Sequence, residues 1–147
     1  MNKILIPIFP QEDNLWVVVH GTQLAERIGG KVYVVEIKFP TDSGETDILR
    51  GVGKKGFSCN PKKQKEVKSE YCCVRGNFFE ECLRIIEKKR IDWVILTIPR
   101  KEEHMREVVR LLKHLKAKGI CRVELVKKTK EDGSYVSHVF THSGKQR

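Results

Sequence analysis

Short apolar, β-branched runs alternate along this chain with longer amphipathic segments, and that alternation restricts the fold more than any other feature. Lys3 to Ile8, Lys31 to Lys38, Ser69 to Val74, Ile91 to Ile98 and Ile120 to Val126 read as strands. Their runs are nearly continuous in hydrophobicity, the pattern of strands buried on both faces and therefore parallel. Leu15 to Ile28 reads as a helix that turns Leu15, Val18, Val19, Ala25 and Ile28 inward, ended by Gly29-Gly30. Glu12, Asp13 and Asn14 before it supply cap oxygens and negative charge for its free amides. A second helix follows Asn77, with Glu80 completing a capping-box pattern and Phe78, Phe79, Cys82, Leu83 and Ile86 as its inner stripe. Pro99 breaks the fourth strand. Lys101 to Lys118 is then a helix with Met105, Val108, Val109, Leu112 and Leu115 inward and Gly119 as its stop.

This order gives an α/β three-layer sandwich, a five-stranded mostly parallel sheet with helices on both faces. Ser134 to Thr141, after the turn signal Glu131-Asp132-Gly133, is a candidate extra C-terminal strand. One domain is expected over residues 1–141, with an insertion at about 39–67 and a disordered tail at 142–147. Between Arg50 and Lys68 there are seven bases against the single acid Glu66, a net +6 and more than half of the chain's net charge of +10. Lys54, Lys55, Lys62, Lys63 and Lys65 are the candidate polyanion contacts, for non-specific nucleic acid or an acidic partner. The competing reading is a lysine-rich solvated loop. Phe57 is the sole ring in that stretch, so a stacking platform for bases is not indicated.

No apolar run is long enough to span a bilayer, and the start turns polar too quickly for a signal peptide. A cytoplasmic protein without membrane attachment is expected. Five cysteines at irregular spacing read as reduced thiols, without zinc-type or thioredoxin-type pairs. Five scattered histidines define no metal site; His138 and His142 are too far apart on a strand to share an ion. No hydrolase elbow, phosphate loop or metalloprotease signature occurs, so no catalytic residue is assigned and the chain is read as a non-enzyme.

In an open parallel sheet ligands sit beyond the carboxyl ends of the strands, where strand order reverses. That rule points to the residues after Ile8, Ile37 and Ile98, and the candidate ligand-binding set for that cleft is Pro7, Phe9, Ile37, Thr97, Arg100, Lys101, His104 and Arg110. Arg100, Lys101, His104 and Arg110 form a basic group suited to a phosphate. The plain alternative is a charged helix face with ion pairs one turn apart.

The opening I-L-I-P-I, the strand V-Y-V-V-E-I and the stretch V-R-G-N-F-F-E-E-C-L-R-I-I-E-K-K-R-I-D-W-V-I-L resemble the universal stress proteins. The resemblance covers Lys3 to about Val126 without the basic insertion, and Val74-Arg75-Gly76 and Asp92 carry most of it. It implies a five-stranded parallel sheet, usually dimeric, and one branch of the family binds ATP. That branch uses an acid after the first strand and a glycine-rich stretch after the fourth, where backbone amides approach phosphate. Here the acid position falls on Phe9 and the next glycine on Pro10; the later glycines fall on Thr97, Arg100 and Arg110, and the hydroxyl residue on Leu111. The family's ATP site is thus expected to be lost or remodelled. No cofactor is expected, ATP or AMP not being favoured. A homodimer through the C-terminal edge strand is expected, in a role of stress response or regulatory interaction. The alternatives are a small phosphate-bearing ligand in a rebuilt cleft, or a basic nucleic-acid-interacting protein.

Overall fold

Each strand alternates its side chains between two cores, and that alternation sets the layers. In the structure, a computed structural model, residues 2–39, 68–128 and 135–140 are described. The elements are β1 (Lys3–Ile8), α1 (Leu15–Ile28), β2 (Lys31–Lys38), β3 (Lys68–Arg75), α2 (Phe78–Lys89), β4 (Trp93–Thr97), α3 (Glu102–Lys118), β5 (Arg122–Lys128) and β6 (Tyr135–Phe140). The sheet runs β3-β2-β1-β4-β5-β6, with β1 to β5 parallel and β6 antiparallel to β5. Ile4, Ile6, Ile8, Val32 and Val34 point into the core containing α1 residues Val17, Val18, Leu24 and Ala25. Leu5, Tyr33, Val35, Ile37, Val94 and Leu96 point the other way, into the core shared with α2 and α3. The expected sandwich and the extra strand are both present.

Strand order reverses between β1 and β4, so the mouth of the switch point lies beyond Ile8 and Thr97. At the opposite edge, Asp92 ties three strands together. Its carboxylate accepts from the Lys3 amide at 2.9 Å, its amide donates to the Lys3 carbonyl at 2.9 Å, and its carbonyl accepts from the Arg122 amide at 3.1 Å.

Two helix faces differ from the periodicity reading. On α1 the inward residues are Val17, Val18, Gly21, Thr22, Leu24 and Ala25, while Leu15 is 53% exposed. Gly21 explains the shift: a Cβ there would overlap Ile6 Cδ1, so the helix lies close against β1 at that position. On α3 the inward stripe is His104, Val108, Leu111 and Leu115, with Val109 exposed and Met105 and Leu112 half-buried. Val108 and Leu115 face inward as expected, while His104 and Leu111 complete the stripe in place of Met105, Val109 and Leu112, a rotation smaller than the roughly 100° of one residue. Asn77 does cap α2, its Oδ1 accepting from the Glu80 amide at 3.0 Å. β4 and β5 are trimmed at their starts relative to the sequence reading, leaving Ile120 outside β5 and 45% exposed.

Cys82 and Cys121 are buried, and burial pushes both thiols up, Cys121 to about 11. They pack as small hydrophobes. Cys72 and Cys73 are exposed on β3. Among the described residues no helix is long and apolar enough to cross a membrane, and no cluster of three metal-ligating side chains occurs. The basic insertion with Lys54, Lys55, Lys62, Lys63 and Lys65, and the tail, lie outside the described residues.

Candidate functional site

The chain leaves β4 at Thr97, turns through Pro99 and begins α3 without a capping side chain of its own. The N-cap residue is Lys101, and its side chain makes no cap hydrogen bond. The acceptor comes from the other side of the switch point. Glu12, in the loop after β1, accepts from the Arg100 amide at 2.9 Å (Oε1) and from the Lys101 amide at 3.2 Å (Oε2). His104 Nδ1 lies 2.7 Å from the same Oε2, and both side chains are only 3% exposed. An ionised carboxylate only accepts, so this geometry puts a proton on Nδ1.

Glu12 is held in place by its neighbours. Gln11 takes a left-handed backbone at φ 65°, which a non-glycine residue adopts at a cost of about 1 kcal/mol. From there its Oε1 accepts from Lys101 Nζ at 3.0 Å and its carbonyl from Arg100 Nη2 at 3.4 Å. Asn14 caps no amide of α1 with its side chain; its Nδ2 donates to the Phe9 carbonyl at 2.8 Å. Two side chains read as capping α1 therefore serve elsewhere: Glu12 satisfies α3, and the Asn14 amide fixes the loop after β1.

Phe9 fills the space beyond β1. Its ring stacks on Phe78 (4.2 Å between centroids, 17° between planes) and on His104 (4.0 Å, 8°), and Phe39 leans on both Phe9 and His104. Phe9 is 3% exposed. The stack Phe78–Phe9–His104 ends in the Glu12 carboxylate, so an apolar plug and an internal anion occupy the mouth together.

The charge on Glu12 follows from competing effects. Burial pushes its pKa up, but the Arg100 amide, His104 and the Lys101 amide together hold it below the ordinary carboxylate value. A carboxylate at a helix N-terminus is also favoured by the dipole. Arg100 contributes little through its guanidinium, which is 80% exposed with Nε 3.8 Å from Glu12 Oε1.

The structure brings together Phe9, Arg100, Lys101 and His104 from the sequence-derived set. Pro7 and Ile37 are buried within β1 and β2, and Thr97 is half-buried at the end of β4. Arg110 does not join the group. It lies over Phe79 on the flank facing α2, at 4.2 Å, where His114 meets the same ring edge-on and Glu107 accepts from the Phe79 amide. His104 is not an open ligand group either, being buried with its Nδ1 engaged. Glu12 is the residue that sequence reasoning placed wrongly, and one signal was available: α3 lacks Ser, Thr, Asp or Asn at its start.

No protein-family model matches this chain, and no curated protein matches it. Among solved structures it is similar to a protein from the universal stress protein family from Burkholderia pseudomallei. The TM-score is 0.54 at 15% identity, covering 84% of this chain and 94% of that one. It also matches Enterococcus italicus Csm6 bound to cyclic hexa-2'-fluoro-hexa-dAMP, with TM-score 0.45 and 14% identity over 92% of this chain and 36% of that one. The first defines the class of fold, that of the universal stress proteins.

Proposed function

We propose that this chain is a divergent universal-stress-protein-like regulatory protein that acts by interaction and whose nucleotide cleft is closed from within. The observation that supports this most is the Glu12 carboxylate on the Arg100 and Lys101 amides. Those amides are the groups a phosphate would use at a helix N-terminus, and a tethered acid already uses them. The Phe78–Phe9–His104 stack fills the adjoining apolar space. A nucleotide entering here would have to displace both. Calorimetric titration of the purified protein with ATP and AMP is expected to give no saturable heat up to about 1 mM, a ceiling near −4 kcal/mol on binding. One-to-one binding abolished by Arg100→Ala would overturn the reading and favour a rebuilt phosphate clamp.

The partner proposed first is a second copy, paired along β6, the terminal strand of the described sheet. Such a strand offers its outer backbone groups to another chain. Size-exclusion chromatography with light scattering is expected to report a mass near twice 17.0 kDa. A monomer at all concentrations would remove the dimer.

A further inference from the structure

The edge of the sheet opposite the plugged mouth carries a concentrated positive charge. Lys3, Lys31, Lys88, Lys89, Arg90 and Arg122 gather where the strands begin, against Glu70, Glu87 and Asp92. Bases in the last turn of a helix are favoured by its dipole, which accounts for Lys88 and Lys89. It does not account for Lys3, Lys31 and Arg122, which stand on strands.

The local geometry is also unusual for like charges. Lys31 and Lys89 bring their ammonium groups to 4.9 and 5.3 Å from the centroid of the same Tyr33 ring. Lys3 Nζ donates to the Lys89 carbonyl at 3.1 Å. Glu70 is bonded to Lys31 at 2.8 Å. Asp92 is engaged with the Lys3 amide. Across the sheet, Arg122 lies over the Trp93 ring at 4.6 Å. The fold thus holds an excess of cations at fixed positions along one rim.

We propose that this rim docks the phosphate backbone of duplex nucleic acid, without reading bases. Adjacent strands are about 4.8 Å apart, so the row from Lys31 across β1 and β4 to Arg122 spans about 15 Å. That matches about three successive phosphates of one strand, which wind around the axis as they rise. Single-stranded nucleic acid is a poorer fit, because Tyr33 is buried and Trp93 is covered by Arg122, leaving neither ring to stack on bases. A lipid surface also fits poorly: among the described residues Ile120 is the exposed large apolar side chain at this edge, too little to insert. The rim lies away from the Glu12 site, so this inference stands or falls separately from the closed cleft.

The test is fluorescence anisotropy of a labelled duplex of about 20 base pairs, titrated with the full chain between about 50 and 200 mM salt. Affinity is expected to fall steeply over that range. Lys88→Glu with Arg122→Glu should weaken binding at least about tenfold at the lower salt and reduce the salt slope by about 2. Arg75→Glu with Arg106→Glu makes the same change in net charge at exposed positions away from the rim, Arg75 standing at the far end of β3, and should cost less than about threefold. Equal losses in the two double variants would overturn the site, as would full binding by the rim variant or no duplex binding at the lower salt. Capture by anionic vesicles with none by duplex would assign the rim to lipid instead. Should the reversals unfold the protein, Lys88→Gln with Arg122→Gln carries the same comparison.

Discussion

Glu12→Ala is expected to lower the unfolding free energy by about 3 kcal/mol, read from urea denaturation monitored by circular dichroism. The substitution leaves the Arg100 and Lys101 amides and His104 Nδ1 without their acceptor, in a place where Glu12 and His104 are each 3% exposed. Breaking one side of a buried pair costs more than the pair contributes, because the remaining group stays desolvated. Glu12→Gln keeps one carbonyl oxygen and should lose roughly half as much. The pH dependence has a definite sign. The carboxyl is held below its ordinary value in the folded chain, so its contribution is present above the unfolded value, near 4.5, and is lost as pH falls through the lowered one. Wild type and Glu12→Ala should therefore converge in acid. An alanine variant as stable as wild type at neutral pH would show that the pair is a surface interaction.

Phe9→Ala should be the more damaging change, about 4 kcal/mol by the same measurement. The ring is 3% exposed and makes two face-to-face contacts, at 4.2 and 4.0 Å, so its removal leaves a cavity between Phe78 and His104. Stacked aromatic contacts add to the loss from area alone. Phe9→Leu, which keeps most of the volume, should recover more than half. Loss of less than about 1 kcal/mol in the alanine variant would mean that the plug is not packed as described.

The sequence was most informative where physics acts along the chain. The strands were legible because Lys31–Lys38 and Trp93–Thr97 are covered on both faces, which demands near-continuous apolar runs. Asn77 was legible as a cap because its partner amide is three residues away. What failed was set across the fold. Glu12 meets His104 over a separation of 92 residues, and local pattern assigned its carboxylate to the nearer helix. Leu15 and Val109 are apolar and at helical spacing, yet both are exposed. The rotation of α1 is fixed by the close approach at Gly21, and that of α3 by His104 joining Glu12 and Phe9. Arg110 was grouped with Arg100 by proximity in sequence, but it lies on the flank that faces α2.

The central place of β1 has a consequence for synthesis. β1 lies between β2 and β4, and Lys3 is joined to Asp92 by bonds spanning 89 residues. While the ribosome is still making the middle of the chain, β1 has one neighbour and an open edge. From the end of β2 at Lys38 to the end of β4 at Thr97 is 59 residues, so at about 5–20 residues per second that interval is about 3–12 s. An apolar strand left half-paired for so long is a target for chaperones and a template for aggregation. Asp92 is the point at which the exposure ends, since its pairing with Lys3 brings β4 onto the waiting edge.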